Sequence, residues 1–282
     1  MTAMRRIDAH HHLWDLSARP QDWLDGPELE PIRRSFGPAD LREVTEAAGV
    51  DATVLVQVLN DIDETADFLA AASDLVAGVV GWVDLTAPDV HEQLDRLRSG
   101  PGGDRLVGIR HLVQSEPDPD WLMRPDVLAG LRAVRDAGLA YDVLTRPHQL
   151  PAAVVAVRAV PDMVFVLDHL SKPDIAAGVV EPWATHLAAL AAEPNVTAKL
   201  SGLVTEAGPQ WTVDSLRPYA DIALEAFGPD RLMAGSDWPV CLLAASYDEV
   251  FDAASLLCSG LSAAERAEVF GGTAARVYRL GT

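Results

Sequence analysis

The sequence predicts an α/β protein built as a single (β/α)8 barrel spanning residues 1–282. Eight short β-branched runs, helical periodicity between them and a recurrence on the order of every 30 residues point to it. The runs are Arg6 to His12, Ala52 to Leu59, Val76 to Val83, Leu106 to Leu112, Leu139 to Leu144, Met163 to His169, Val196 to Leu200 and Leu232 to Ser236. Several are apolar on both alternating faces, as in Val54-Leu55-Val56 and Val164-Phe165-Val166-Leu167, which fits parallel strands covered on both sides. Among the intervals, Val213, Leu216, Ala220, Ala223, Leu224 and Phe227 make one helical stripe that stops at Gly228-Pro229. A second stripe joins Val127, Leu128, Leu131 and Val134 and ends before Gly138. A third starts near Asp61 with Glu64 in a capping-box relation, burying Phe68 and Leu69. Ala263 to Tyr278 reads as a ninth helix, and residues 13–38, rich in Pro, Trp and charge, as a long loop. A doubly wound open sheet is the alternative, weakened because no Gly-rich phosphate loop follows any strand.

Composition narrows the function. With 49% hydrophobic and 23% charged residues the chain is globular, and a net charge of -20 repels phosphate backbones, so nucleic acid is not an expected partner. The longest apolar region, residues 150–170, is interrupted by Arg158, Pro161 and Asp162, short of the roughly 18 residues a membrane span needs. The opening Met-Thr-Ala-Met-Arg-Arg carries no apolar leader, so a cytoplasmic protein is expected. There Cys241 and Cys258 stay reduced and serve as small apolar fillers. The only two lysines are Lys172 and Lys199.

In a (β/α)8 barrel the reacting groups stand at the carboxyl ends of the strands. Here those ends carry His10, His11 and His12, then Gln57, then Trp82 and Asp84, then Arg110 and His111. Asp142, Asp168-His169, Lys199 with Ser201, and Ser236-Asp237 follow. His10 and His12, two apart on a strand, face the barrel interior together and can share a metal ion or a substrate. Asp237 precedes Trp238-Pro239, where the proline disfavours a simple helix cap and leaves general base or metal ligand as its roles. Lys172 and Lys199 lie off helical faces and suit an oxyanion or a carboxylate, and Arg110 can hold planar oxygens in a fork. Each has a bland counterpart, such as a satisfied core histidine for His169 or a packed wall for Trp238. Their shared location favours a site.

The set Asp8-Ala9-His10-His11-His12, Gly108-Ile109-Arg110-His111, Leu167-Asp168-His169-Leu170-Ser171-Lys172-Pro173, Lys199-Leu200-Ser201-Gly202-Leu203 and Gly235-Ser236-Asp237-Trp238-Pro239-Val240 resembles the amidohydrolase superfamily. Within it the similarity is to the sugar-lactonase branch, together with the pyrone-dicarboxylate lactonases, and runs collinearly from residue 5 to about 250. The resemblance implies a hydrolase opening a sugar lactone such as L-fucono- or L-rhamnono-lactone to its hydroxy acid. It places His10, His12, His169 and Asp237 around the reacting centre, as ligands of at most one divalent ion, zinc first, with metal-free catalysis as the other option. Binuclear members carry a bridging Lys or Glu on the fourth strand and a His on the fifth, where this chain has Arg110-His111 and Tyr141-Asp142-Val143.

Under that resemblance Asp237 takes the proton of an attacking water, and His169, Lys172, Lys199 and the Arg110-His111 pair stabilise the oxyanion. Gln57, Asp84, Asp142 and Trp238 are the expected substrate contacts, with Arg124 and Arg146 as more distant cations. A small lactone is the expected partner, with no membrane, and homodimerisation stays open. The rivals are a zinc-dependent decarboxylase of the same superfamily, a pyrone-dicarboxylate lactonase, a metal-dependent phosphoesterase, which the charge disfavours, and a catalytically silent binding barrel.

Overall fold

The computed structural model describes residues 5–281. Eight parallel strands follow one another in chain order around a single sheet. They are β1 (Ile7–His11), β2 (Ala52–Val56), β3 (Val76–Gly81), β4 (Leu106–His111), β5 (Ala140–Val143), β6 (Phe165–Leu167), β7 (Val196–Leu200) and β8 (Leu232–Ala234). Seven of the eight are shorter than the hydrophobic runs suggest, because the residues at the run ends, polar and apolar, have already left the ladder. After β6, for example, Asp168–Ser171 coils into a tight turn. The helices Pro125–Asp136 and Val213–Phe227 form where the apolar stripes require.

Closure of the barrel depends on polar groups at the β1/β8 seam. The His12 amide donates to the Trp238 carbonyl at 2.6 Å, and the Asp237 amide donates to the His10 carbonyl at 2.8 Å. Beneath them Asp8, fully buried, accepts from the amides of His10 (3.1 Å) and Ser236 (2.8 Å), the Ser236 hydroxyl (2.6 Å) and the Tyr247 hydroxyl (3.0 Å). Burial raises the Asp8 carboxyl to about 6, against the pull of these donors.

Apolar packing is split between two layers. The larger core lies between the sheet and its helices, and a smaller one fills the barrel with Ile7, Ala9, Val54, Val80, Val166 and Met233. Ala274, Tyr278 and Leu280 complete the inner core from the amino-terminal end of the barrel. The expected helix Ala263 to Tyr278 is therefore not continuous. It breaks into Ala263–Ala267, a wide turn at Glu268–Gly272 and Thr273–Val277, where the chain passes so close to the segment leading into β1 that a Cβ on Gly271 would collide with the Arg5 carbonyl.

Residues 13–38 do form an extended excursion after β1, but an ordered one. Trp14 and Phe36 exchange backbone hydrogen bonds, and the Phe36 ring packs edge-on to Trp238 at 5.3 Å. Asp61 caps the helix Ile62–Ala71 as expected. Glu64 does not close the capping box. It turns back to accept from the amides of Val58 (2.8 Å) and Leu59 (2.9 Å), fixing the loop after β2. Cys241 and Cys258 are buried free thiols. No helix among the described residues is long and apolar enough to cross a membrane.

Two stability measurements follow from this arrangement. Replacing Asp8 by Ala strands four buried donors and is expected to cost on the order of 3–5 kcal/mol in chemical denaturation; a loss below about 1 kcal/mol would remove Asp8 from the closure. Burial raises Glu64 from 4.5 to about 7, so the folded state holds a proton that the unfolded chain releases earlier, and stability falls as pH rises through that window. Glu64→Gln should lose this slope, its melting temperature gaining on the wild type between about pH 5 and pH 8; parallel pH curves would show that Glu64 is not protonated in the fold.

Candidate active site

The carboxyl-terminal mouth of the barrel opens into a cavity of about 570 Å³ lined by His12, Arg110, Arg146, His169, Lys172 and Asp237 together with loop residues. His10 lies directly under its floor, fully buried. Strand alternation sends the side chains of His10 and His12 inward, their Nε2 atoms 3.1 Å apart, and sends His11 outward to Thr53 Oγ1 at 2.9 Å. Asp237 Oδ1 stands 3.5 Å from His12 Nε2 and 3.7 Å from the Nε2 atoms of both His10 and His169.

These spacings suit a metal ion. Ligand atoms about 2.0–2.2 Å from a tetrahedral ion lie roughly 3.3 Å apart. His10, His12 and Asp237 meet that spacing as one compact group, while His169 forms a second group with His10 and Asp168. The outer nitrogens support the same role. His12 Nδ1 donates to the Val56 carbonyl at 2.8 Å, which leaves the Nε2 lone pair free, and His169 Nδ1 engages Ser201 Oγ at 2.9 Å. His10 Nδ1 has Lys199 Nζ at 3.2 Å and Asp168 Oδ1 at 3.4 Å. With its proton on Nδ1, facing Asp168, His10 presents a second lone pair beside that of His12, which the Arg110 Nη1 donor at 3.4 Å or a cation between the two rings can answer. With the proton on Nε2, His10 instead donates to His12 and accepts from Lys199.

Electrostatics keep the centre ready for either state. Burial holds His10 and His12 below their ordinary range and His169 down at about 4, so all three imidazoles are neutral at pH 7. Burial alone would raise Asp237, but the His169, His12 and His10 rings hold its carboxyl well below the usual range, leaving it ionised. Beneath it, Lys199 pairs with Asp142 at 2.5 Å and Asp168 at 3.0 Å, and Arg110 pairs with Asp168 at 2.9 Å. This set of two cations and two carboxylates balances itself, so the Asp237 charge is the one that a metal ion or a substrate answers.

The backbone around these groups is strained. His169, Leu170, Ser171 and Lys172 all have φ between 50° and 61°, and Asp237 has φ 57°. Left-handed conformations of such residues cost on the order of 1 kcal/mol or more each. They are held by the Trp183 indole donating to the Leu170 carbonyl (2.7 Å), by Thr145 Oγ1 against Ser171 Oγ (2.9 Å) and by Ser201 on His169. Gly202 completes the turn at φ 72°, where a Cβ would lie 2.8 Å from His169 Nδ1.

Several expected substrate contacts stand elsewhere. Lys199 and Asp142 are fully buried below His10, sealed from the cavity, and Tyr278 donates its hydroxyl to Asp142. Gln57 is also buried, its side-chain and backbone oxygens accepting from the Arg110 guanidinium. His111 alternates outward from Arg110, where it stacks on Trp121 at 4.2 Å, accepts from the Trp82 indole and meets Glu116 Oε1 at 2.7 Å. Asp84 folds onto Thr86, and Trp238 is core packing at the seam. Arg124 pairs with Asp126 on the surface, whereas Arg146 lines the cavity. Sequence reasoning missed the seam role of Asp8, Tyr278, and Glu206, whose carboxylate stands 4.0 Å from Lys172 Nζ, and it set Arg146 farther from the site than the cavity wall it forms. Of these, only Asp8 carried a local signal, an acid beside His10 in a strand too apolar to hold it unpaired.

With this fold and site in place, the chain belongs to the amidohydrolase family, whose model matches residues 7–280. Among its relatives, an L-fucono-1,5-lactonase of Burkholderia ambifaria is 39% identical, covering 98% of this chain and 96% of its own. An L-fucono-1,5-lactonase of Burkholderia multivorans is 40% identical over the same shares. The crystal structure of an amidohydrolase from Burkholderia multivorans with bound zinc is 39% identical and superposes with a TM-score of 0.92, covering 98% of this chain and all of that one.

The Gly202 contact is open to test. Gly202→Ala should displace the His169 ring and weaken zinc binding at least about tenfold in calorimetry. Unchanged affinity would mean that His169 does not contribute to the metal group.

Proposed function

We propose that this protein is a lactonase that opens L-fucono-1,5-lactone, or a close sugar lactone, to the hydroxy acid. The observation that carries the proposal is the convergence of His10, His12, His169 and Asp237 at the floor of a cavity walled by three cations. The lactonase relatives support the substrate class, and a neutral lactone suits a cavity that answers charge only as it develops.

In the reaction a water adds to the ring carbonyl, the carbonyl carbon–ring oxygen bond breaks, and the ring oxygen leaves as a hydroxyl. Asp237, ionised and next to the imidazoles, takes the proton of the water. Its depressed pKa makes it a weak base. His10, His12 and Asp237, with His169 beside them, would hold a divalent ion, zinc as first choice, and such an ion would supply Lewis acidity.

The chain's own cations serve the oxygen atoms. Arg110, kept rigid by Gln57 and Asp168, presents its guanidinium to the cavity, where negative charge grows on the carbonyl oxygen. Burial lowers the Lys172 ammonium below its usual range, which makes it the cation best able to give a proton to the departing ring oxygen. Arg146 is placed to hold the carboxylate formed, and Leu144, Val240 and Leu243 offer an apolar wall to the methyl group of a 6-deoxy sugar.

A pH-indicator assay on L-fucono-1,5-lactone tests the proposal. Asp237→Asn is expected to keep the wild-type melting temperature and to lose roughly 10²-fold or more in kcat/KM. Full activity in that variant would discard Asp237 as the base, and a wild type inert toward every sugar lactone would discard the substrate class.

A further inference from the structure

The barrel is plugged from below by the carboxyl-terminal segment, and one of its side chains reaches the catalytic floor through other groups. Tyr278, on the turn that follows the helix Thr273–Val277, is fully enclosed among the inner core residues. Its hydroxyl donates to the Asp142 carboxylate, 2.9 Å from Oδ1 and 2.8 Å from Oδ2. Asp142 Oδ2 accepts from Lys199 Nζ at 2.5 Å, and the same ammonium lies 3.2 Å from His10 Nδ1 and 3.0 Å from Asp168 Oδ1. The Lys199 ammonium also stands 5.5 Å over the Tyr278 ring, so the tyrosine fixes it twice.

We propose that Tyr278 is a positioning residue for the reacting centre, acting through Asp142 and Lys199 on His10. An ammonium has three donors and no acceptor. Where Lys199 points decides whether His10 Nδ1 meets a donor or is left to Asp168, and hence whether His10 Nε2 faces the cavity floor with a lone pair or with the proton. Tyr278 limits that choice by occupying the side of Asp142 that Lys199 would otherwise share. Without the hydroxyl, the Asp142 carboxylate is free to rotate and Lys199 to divide its donors differently. The effect on turnover rests on the lactonase proposal; the effect on His10 does not.

The test is Tyr278→Phe, which removes one oxygen and keeps the ring under Lys199. In turnover of L-fucono-1,5-lactone, kcat is expected to fall roughly tenfold at unchanged KM, as for other groups that orient a ligating histidine. Nitrogen-15 NMR of the imidazoles supplies a readout independent of substrate. The His10 resonances should shift, while those of the remote His91 and His186 stay in place. Adding Tyr278→Phe to Asp142→Asn should change kcat by less than about twofold further, because the first substitution already removes the carboxylate through which Tyr278 acts. A folded variant with an unmoved His10 signal overturns the proposal, whatever happens to the melting temperature, and so does full additivity of the two substitutions. If the wild type turns over no lactone, the functional proposal fails and the NMR comparison still decides the role of Tyr278. If Tyr278→Phe does not fold, Asp142→Asn alone must shift His10; an unmoved signal there overturns the proposal as well.

Discussion

The β1/β8 seam is the constraint on which the rest of the molecule depends. A sheet of eight parallel strands leaves two unpaired edges until the first strand meets the last, and here that meeting is carried by backbone bonds at His10–Asp237 and His12–Trp238 with Asp8 beneath them. The groups that form the compact metal-type cluster lie on opposite sides of this seam, His10 and His12 on one and Asp237 on the other. Closing the barrel and assembling the site are therefore the same event. An unclosed sheet would hold the histidines and the aspartate on separate edges with no common point.

Closure also requires charge to be managed inside a space without water. Lys199, Arg110, Asp142 and Asp168 bring two charges of each sign under the histidines, each with a partner at 3.0 Å or less. Such a set contributes little net stability compared with apolar packing, yet removing one member leaves an uncompensated buried charge. What it supplies is direction. Arg110 is held by Gln57 and Asp168 with its guanidinium at the cavity, and His10 is held by Lys199 and Asp168 with its ring at the floor. The three imidazoles stay neutral through burial and Asp237 is ionised beside them, so one negative charge at the floor is left without a cationic partner.

The barrel was legible because its strands alternate with helices at regular spacing and are apolar on both faces, patterns that depend on local sequence. His10, His12, His169 and Asp237 were legible for a similar reason: a polar residue at the end of a buried strand has few places to go. The errors share a cause as well. Inside or outside depends on strand parity and on how deep in the barrel a residue lies, and neither is printed in a motif. Arg110 faces the cavity and His111, one residue on, cannot. Asp142 and Lys199 are strand residues one layer too deep to line the cavity. Tyr278 and Arg146 come from segments whose approach to the site is set by tertiary packing.

The left-handed turn at His169–Lys172 shows how the site keeps its geometry. Four consecutive strained residues, and Asp237 beside them, persist because the neighbours over-determine them: Trp183 from the following helix, Thr145 from the loop after β5, and Ser201 and Gly202 from the end of β7. Those neighbours belong to the barrel, not to the wall that meets the substrate. Residues 13–38, which supply Trp14, Asp22, Trp23 and Leu29 to the cavity, pack on the seam through Phe36 and Trp238 and make none of the contacts that hold the turn. That excursion borders the cavity and packs on the seam, and takes no part in the hydrogen bonds that hold His169 to Lys172. The division follows from where strain is stored: the strained turn is held by the strand ends and their helices, while the excursion adds wall to the cavity and packing to the seam.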